Sequence, residues 1–233
     1  MTQPLGEPAS TGARHRDTKQ RLLDAAERLF ASHGFEGTSM RAVTQTADTS
    51  LSAANYHFGS KQALLEAALV RRIEPLNHRR LEAIDALEKS ADGVVSVEAL
   101  LEAFLRPSFE AQREFPEAGR RLREVAARLH ADPHAIVSKL KFELFAPVIR
   151  RYIDALERAL PDRAREDLVL DFQFFVGVMV HVMSGKTRHA WDDAATTPPA
   201  DEEILDRIVA FAAAGLRAGA QSRRAENEPG DAA

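Results

Sequence analysis

The sequence predicts an all-α protein, with a small N-terminal head of short helices followed by a larger helical bundle. Three observations carry this. Apolar residues recur at spacings of three and four along most of the chain, and no segment alternates convincingly as a strand. Serine, glycine and proline fall where helices start and stop. Hydrophobic residues make up 45% of the 233, enough for a packed core in one large domain or two small ones.

The elements follow in order. Residues 1–15 are rich in Pro, Gly, Ser, Thr and Ala without periodicity and read as a flexible arm. Asp17, with Gln20 three residues on, resembles a capping box opening the first helix. Leu22, Ala25, Ala26, Leu29 and Phe30 form its apolar stripe, and Gly34 sits where a left-handed stop belongs. Thr38 or Ser39 caps a second helix that ends near Ala47, and Asp48-Thr49 form a tight turn. Ser50 caps a third helix over about Leu51–His57, which Gly59 breaks. Ser60 caps a fourth helix running beyond Arg80, with a kink or break expected at Pro75.

Further helices are predicted at Val97–Gln112, Glu117–Ala131, Pro133–Leu160, about Arg163–Arg188 and about Asp201–Arg217, before a frayed tail after Ala218. Asp132-Pro133 is a strong start signal, because proline tolerates the first helical position. The chain thus divides into an arm (1–15), a head (16–76, with its motif at 38–57), a bundle (77–218) and a tail (219–233).

Composition narrows the function. The chain has no cysteine, which removes disulfides, thiolate metal sites and cysteine nucleophiles and fits a reducing cytoplasm. The longest apolar run, Phe174–Val180, is too short to span a bilayer, and the first residues lack the apolar region of a secretory signal. The net charge is −4, but it is unevenly spread. From Arg14 to Arg72 nine Lys/Arg face six Asp/Glu, a balance of +3 that leaves −7 for the rest. A basic head on an acidic body suits site-specific binding to nucleic acid.

The third helix is poor in large apolar side chains. It displays Ser52, Ala53, Asn55 and His57, groups small or polar enough to approach base edges and phosphates in a major groove. Lys61 lies at a helix N-terminus, an electrostatically poor place for a cation unless an anion is near. An ordinary helical corner is the competing reading.

Residues 16–69 closely resemble the N-terminal domain of TetR-family transcriptional regulators, through Leu22-Leu23-Asp24-Ala25-Ala26-Glu27-Arg28-Leu29-Phe30, Gly34-Phe35, Thr38-Ser39, Arg41 and Tyr56-His57-Phe58 followed by Lys61. The resemblance implies a three-helix helix-turn-helix DNA-binding domain plus a C-terminal bundle for ligand sensing and dimerisation. The partners would be a palindromic double-stranded operator and a second copy of the chain. It assigns Arg41 and Gln45 to the backbone or a base, and Leu51, Ser52, Ala53 and Asn55 to the groove, while Ser50 caps a helix start whose N–H groups can bind phosphate. Tyr56, His57 and Lys61 would meet phosphates, while Val43, Ala47 and Phe58 would be core. Two departures stand out. Asp48-Thr49 replaces the usual Gly-Val of the turn, with aspartate tolerating left-handed geometry, and Asn55 replaces a more apolar residue.

In the body, the resemblance points to a dimer interface on the last two helices, at Phe174, Val178, Val182, Ile204, Ile208, Phe211 and Ala212, with an intramolecular core as the alternative. Candidate effector-pocket residues are Phe104, Phe109, Phe142, Phe145, Met179 and Met183, with Arg113, His134 and His181 as polar partners. Asn55–Lys61, Met183-Ser184-Gly185 and Phe211–Arg217 resemble a fatty-acid-responsive branch, implying an apolar or acyl-chain effector. No cofactor and no metal are expected. His130 and His134 are split by a helix boundary, Glu74 and His78 read as a surface pair, and no P-loop or nucleophile elbow is present. The function expected is a ligand-released repressor. A bundle enzyme or lipid carrier with a vestigial head, and a regulator without effector, are the alternatives.

Overall fold

A computed structural model describes residues 11–114, 132, 134–184 and 199–227, with side chains from residue 16 to 218 of these. Among the described residues there are eight helices and no strand. We number them α1 (Thr11–His33), α2 (Met40–Thr46), α3 (Leu51–Phe58), α4 (Lys61–Ser90), α5 (Val97–Glu114), α6 (Ala135–Ala159), α7 (Arg165–Met183) and α8 (Asp201–Asn227). None of the described helices is long and apolar enough to cross a membrane.

The head is built by local signals. Gly34, at φ +71°, ends α1 and returns its N–H to the Phe30 carbonyl at 3.0 Å. Ser39, Ser50 and Ser60 each accept the N–H of the residue three ahead at 3.1 Å, so one serine starts each of α2, α3 and α4. Such caps contribute roughly 1 kcal/mol apiece. Thr38 is no cap; its hydroxyl donates to the Gly34 carbonyl at 2.8 Å from a buried position. Asp48 takes φ +48°, the left-handed turn that its short polar side chain tolerates.

Two expectations at the ends of long helices are corrected. Asp17 does not open α1, which begins at Thr11; it lies inside the helix and pairs with Arg21, one turn on, at 3.3 Å. Pro75 does not break α4, which runs unbroken for 30 residues. Pro75 is exposed, so the carbonyl that its ring leaves without an N–H faces water.

The first core packs α1–α4 through Leu22, Ala26, Phe30, Val43, Ala47, Ala54, Leu64 and Leu65, and Val137 and Leu140 of α6 join it. The second joins α4–α8 around Phe104, whose ring meets Tyr152 at 5.1 Å and Phe172 at 5.0 Å. The body helices differ at their ends from the sequence reading. α6 starts at Ala135 rather than Pro133, because His134 caps it: its Nδ1 accepts the Ile136 N–H at 3.2 Å. α7 starts at Arg165, after the buried Arg163 has turned into the core to bind Asp171 and the Leu216 carbonyl, both at 2.6 Å. α8 continues past Ala218 to Asn227. The helix expected over Glu117–Ala131 and most of the N-terminal arm lie outside the described residues.

Candidate nucleic-acid interface

α3 rests on one side and offers the other. Ala54 is fully buried and Phe58 packs partly into the head core, which fixes the helix's rotation. The opposite side then projects outward. Leu51 is 39% exposed, Tyr56 is 76% exposed, and Ser52 and Asn55 are exposed beside them. Ala53 and His57 flank this strip half-buried, and the Tyr56 and His57 rings meet edge-on at 5.3 Å. On α2, Arg41 and Gln45 are exposed while Val43 and Thr44 are buried, so both polar side chains leave the head with Ser50. A helix is about 10–12 Å across, the width of a major groove, and Ser52 and Asn55 on the outer side of α3 keep it slim enough to enter.

Lys61 departs from the reading of its position. Its ammonium donates to the Phe35 carbonyl at 3.0 Å and lies 4.1 Å from the centre of the Phe35 ring. The half-buried cation at the start of α4 is thus held against the head by a carbonyl and a π face, with no anionic partner among the described residues. Phe35 is also where the body meets the head. Its ring lies 4.8 Å from that of His134, its N–H approaches Asp132 Oδ2 at 3.4 Å, and His134 Nε2 lies 2.8 Å from Glu36 Oε1. The start of α6 is therefore clamped onto the α1–α2 turn.

The other head device is a buried carboxylate. Glu27, 2% exposed, accepts from Arg71 at 2.5 and 2.9 Å and from Arg72 at 2.8 and 2.9 Å, bolting α1 to α4. Its position, four after Leu23 and three before Phe30, already places it on the apolar stripe.

Comparison with known proteins decides the family. A model described as "Bacterial regulatory proteins, tetR family" matches residues 22–68, and one described as "Tetracyclin repressor-like, C-terminal domain" matches residues 102–215. Together they span well over half of the chain. The chain belongs to the TetR family. As such it is a DNA-binding transcriptional regulator. A helix-turn-helix-type transcriptional repressor of Mycobacterium tuberculosis is 28% identical over 161 residues, 64% of this chain and 84% of the relative. The repressor KstR of Rhodococcus jostii is 27% identical over 141 residues, 55% and 66% of the two chains. Two solved structures share the fold. A protein of Clostridium perfringens described as a fatty acid metabolism regulator has a TM-score of 0.63 at 14% identity, covering 84% of this chain and 97% of its own. The ketosteroid regulator KstR2 of M. tuberculosis has a TM-score of 0.55 at 19% identity, covering 91% and 98%.

In this TetR-family chain the nine expected pocket residues do not converge. Phe104, Phe109 and Met179 are buried in the bundle core, with Met183 packed partly against it. The others are corrected. Phe145 packs against the head core, and His134 is the α6 cap at the head joint. Phe142 is 71% exposed and His181 is exposed, both on outward helix faces. Arg113 is exposed and paired with Glu202 at 3.2 Å. A hollow of about 440 Å³ between α4 and α5, lined among others by Arg79, Arg106, Glu110 and Glu114, contains none of the nine. His78 pairs with Glu82 at 3.2 Å rather than with Glu74. Among the described residues no group of acidic or histidine side chains is arranged to hold a metal.

The expected dimer residues divide between the surface and the edge of the bundle core. Phe174 is 61% and Phe211 70% exposed, and Val178, Val182, Ile204 and Ala212 are half-buried on the same two helices. Ile208 is the correction: it is 5% exposed and belongs to the bundle core with Leu205 and Val209, so it is not available to a partner.

Proposed function

We propose that this regulator acts as a homodimer on a two-fold symmetric operator and is released from it by a small apolar molecule taken up by the bundle. The observation that carries the DNA half is the strip of α3, where Ser52 and Asn55 face outward beside the exposed Tyr56 while Ala54 anchors the helix from behind. Ser52, Ala53 and Asn55 read base edges. Arg41, Gln45, Ser50, Tyr56 and His57 hold the flanking backbone, where contacts position the protein without specifying sequence. Lys61 acts one step removed, through Phe35.

The dimer is supported by exposed aromatic side chains on α7 and α8. Leu170, Phe174 and Val178 follow one another at four-residue spacing on α7, and Ile204 and Phe211 share a face of α8. Gly177 and Gly215 have open space where a side chain would stand, so a partner helix can approach closely there. Two heads reading successive major grooves must lie about 34–36 Å apart or a multiple of that. The relatives are described as repressors, and repression is the sign we assign.

The test is fluorescence anisotropy with the purified protein, on fragments of DNA upstream of its own coding sequence and on scrambled fragments of equal length. Preference for an inverted-repeat fragment, falling steeply with salt, supports the reading. Equal binding to scrambled DNA, or none, refutes it.

A further inference from the structure

The guanidinium of Arg80 is 1% exposed, in the middle of the bundle. Nε donates to the Phe104 carbonyl at 3.0 Å, Nη1 to Asn77 Oδ1 at 3.2 Å, and Nη2 to Ser108 Oγ at 3.0 Å and Met179 Sδ at 3.8 Å. The plane stands over the Phe104 ring at 3.9 Å. Every one of these acceptors is neutral. Other buried arginines of the described chain are paired otherwise: Arg163 has Asp171, and the half-buried Arg71 and Arg72 share Glu27. The ionisable group felt most by Arg80 is the Tyr152 phenol, which donates to the Arg80 carbonyl at 2.8 Å and whose own pKa is pushed up by burial, so it is uncharged at neutral pH. Burial lowers Arg80 only to about 10, and it remains a cation.

A buried cation without a counter-ion is costly, and an apolar residue of similar volume packs such a core at least as well. Among the described residues no carboxylate meets this charge, and its partners are all neutral, so an anion is the partner the site lacks. Its surroundings describe that partner. The rings of Phe104, Phe172 and Phe175 and the Met179 thioether demand an apolar body. The planar fork of Arg80 matches a carboxylate, with Nη1 using one bond and Nη2 spending its second on a weak sulfur acceptor. Methionine is the side chain best able to swing aside.

We propose that Arg80 anchors the carboxylate of an apolar monocarboxylic acid in the bundle, the acid displacing the Met179 sulfur and bridging Nη1 and Nη2. This deepens the effector half of the function proposed above and rests on it. The position suits regulation. Arg80 holds Asn77, whose amide donates to the Leu144 carbonyl of α6 at 2.9 Å, so a new partner at Arg80 pulls on the α4–α6 contact that continues to the head joint.

The experiment is calorimetric titration of the full-length protein with octanoate, decanoate and 4-phenylbutyrate, each against its matched alcohol. At least one acid is expected to bind about tenfold or more tightly than its alcohol, a difference of ~1.4 kcal/mol. Arg80→Met, its helix content checked by circular dichroism, should erase that preference, and Arg80→Lys should keep only part of it. No acid binding, equal binding of acid and alcohol, or a preference that survives in Arg80→Met overturns the proposal. If Arg80→Met does not fold, the wild-type comparison and Arg80→Lys still decide. The two readings fail separately: operator binding without any acid preference sinks only this inference. An acid preference without operator binding sinks the regulator mechanism and leaves the anion site standing.

Discussion

Replacing Lys61 with alanine separates two assignments of one charge. If its ammonium binds a phosphate, the substitution weakens DNA binding at every sequence, and the slope of log affinity against log salt falls by roughly 0.9. The structure gives it a different task. The bond to the Phe35 carbonyl at 3.0 Å is charge-assisted, of a kind that contributes roughly 1.5–3 kcal/mol. The contact with the Phe35 ring at 4.1 Å adds roughly 0.5–1 kcal/mol at a partly exposed site. Alanine loses both, and the Phe35 carbonyl keeps only the longer bond from the Thr38 N–H at 3.3 Å. We expect the head to lose about 2–3 kcal/mol of stability, a large part of the ~5–15 kcal/mol typical of a domain.

Urea unfolding followed by far-ultraviolet circular dichroism measures the first quantity, and operator anisotropy across a salt series measures the second. The expected result for Lys61→Ala is a lower unfolding midpoint with the salt slope changed by well under one unit, once binding is measured where the protein is folded. A stability change below about 0.5 kcal/mol together with a slope reduced by about one would refute the strut and restore the phosphate contact.

Two further outcomes are expected. Glu98 forms a two-pronged pair with Arg217, joining α5 to α8, and that bond is the main cause holding its pKa down from 4.5 to about 2. A carboxylate depressed by folding stabilises fully above its unfolded pKa and loses the effect as pH falls towards the folded value. Glu98→Gln should therefore be less stable than wild type at neutral pH, by under about 1 kcal/mol because both side chains are 45% exposed, with the gap closing from about pH 4.5 to pH 2 in urea melts. Phe174→Glu with Phe211→Glu places like charges on the proposed dimer face, and sedimentation should show monomers with unchanged helix content. An unchanged sedimentation coefficient would put the interface elsewhere.

What the sequence made legible was local. Ser39, Ser50 and Ser60 act on N–H groups three residues away, and Gly34 and Asp48 set their own backbone angles, so each could be read from its neighbours. The outward strip of α3 followed from that short-range grammar, and the family from the resemblance of residues 16–69. The misses that bear on function turn on partners distant in sequence, whereas Asp17 and Pro75 were local misreadings of where a helix starts and stops. Lys61 lies 26 residues from Phe35, Arg80 lies 24 from Phe104, and Phe35 lies 97 from Asp132. Periodicity says that Phe145 and Ile208 face inward but not which interior they enter; one packs against the head and the other fills the bundle. Phe142, three residues before Phe145 on the same helix, points out. Arg80 was detectable in principle, since Ile73, Leu76, Asn77, Arg80 and Ile84 follow one helical face, and a charge on a buried stripe is itself a signal.

The distribution of contacts also constrains how a change in the bundle can reach DNA. Were α4 the sole tie, the head could swing about it and its spacing from a twin would be loosely set. Here the head has a second attachment. Val137 and Leu140 complete its core, and Asp132 and His134 grip the turn that holds Phe35 and Glu36. Two attachments on different helices fix the head's orientation to the relative position of α4 and α6. That position is in turn set inside the bundle by the Asn77–Leu144 bond and the Tyr152–Arg80 bond, at 2.9 and 2.8 Å. A ligand shifts the equilibrium only by its difference in affinity between two packings. The packing that matters is thus the α4–α6 seam, and an effector binding elsewhere in the bundle without altering that seam would leave the operator occupied.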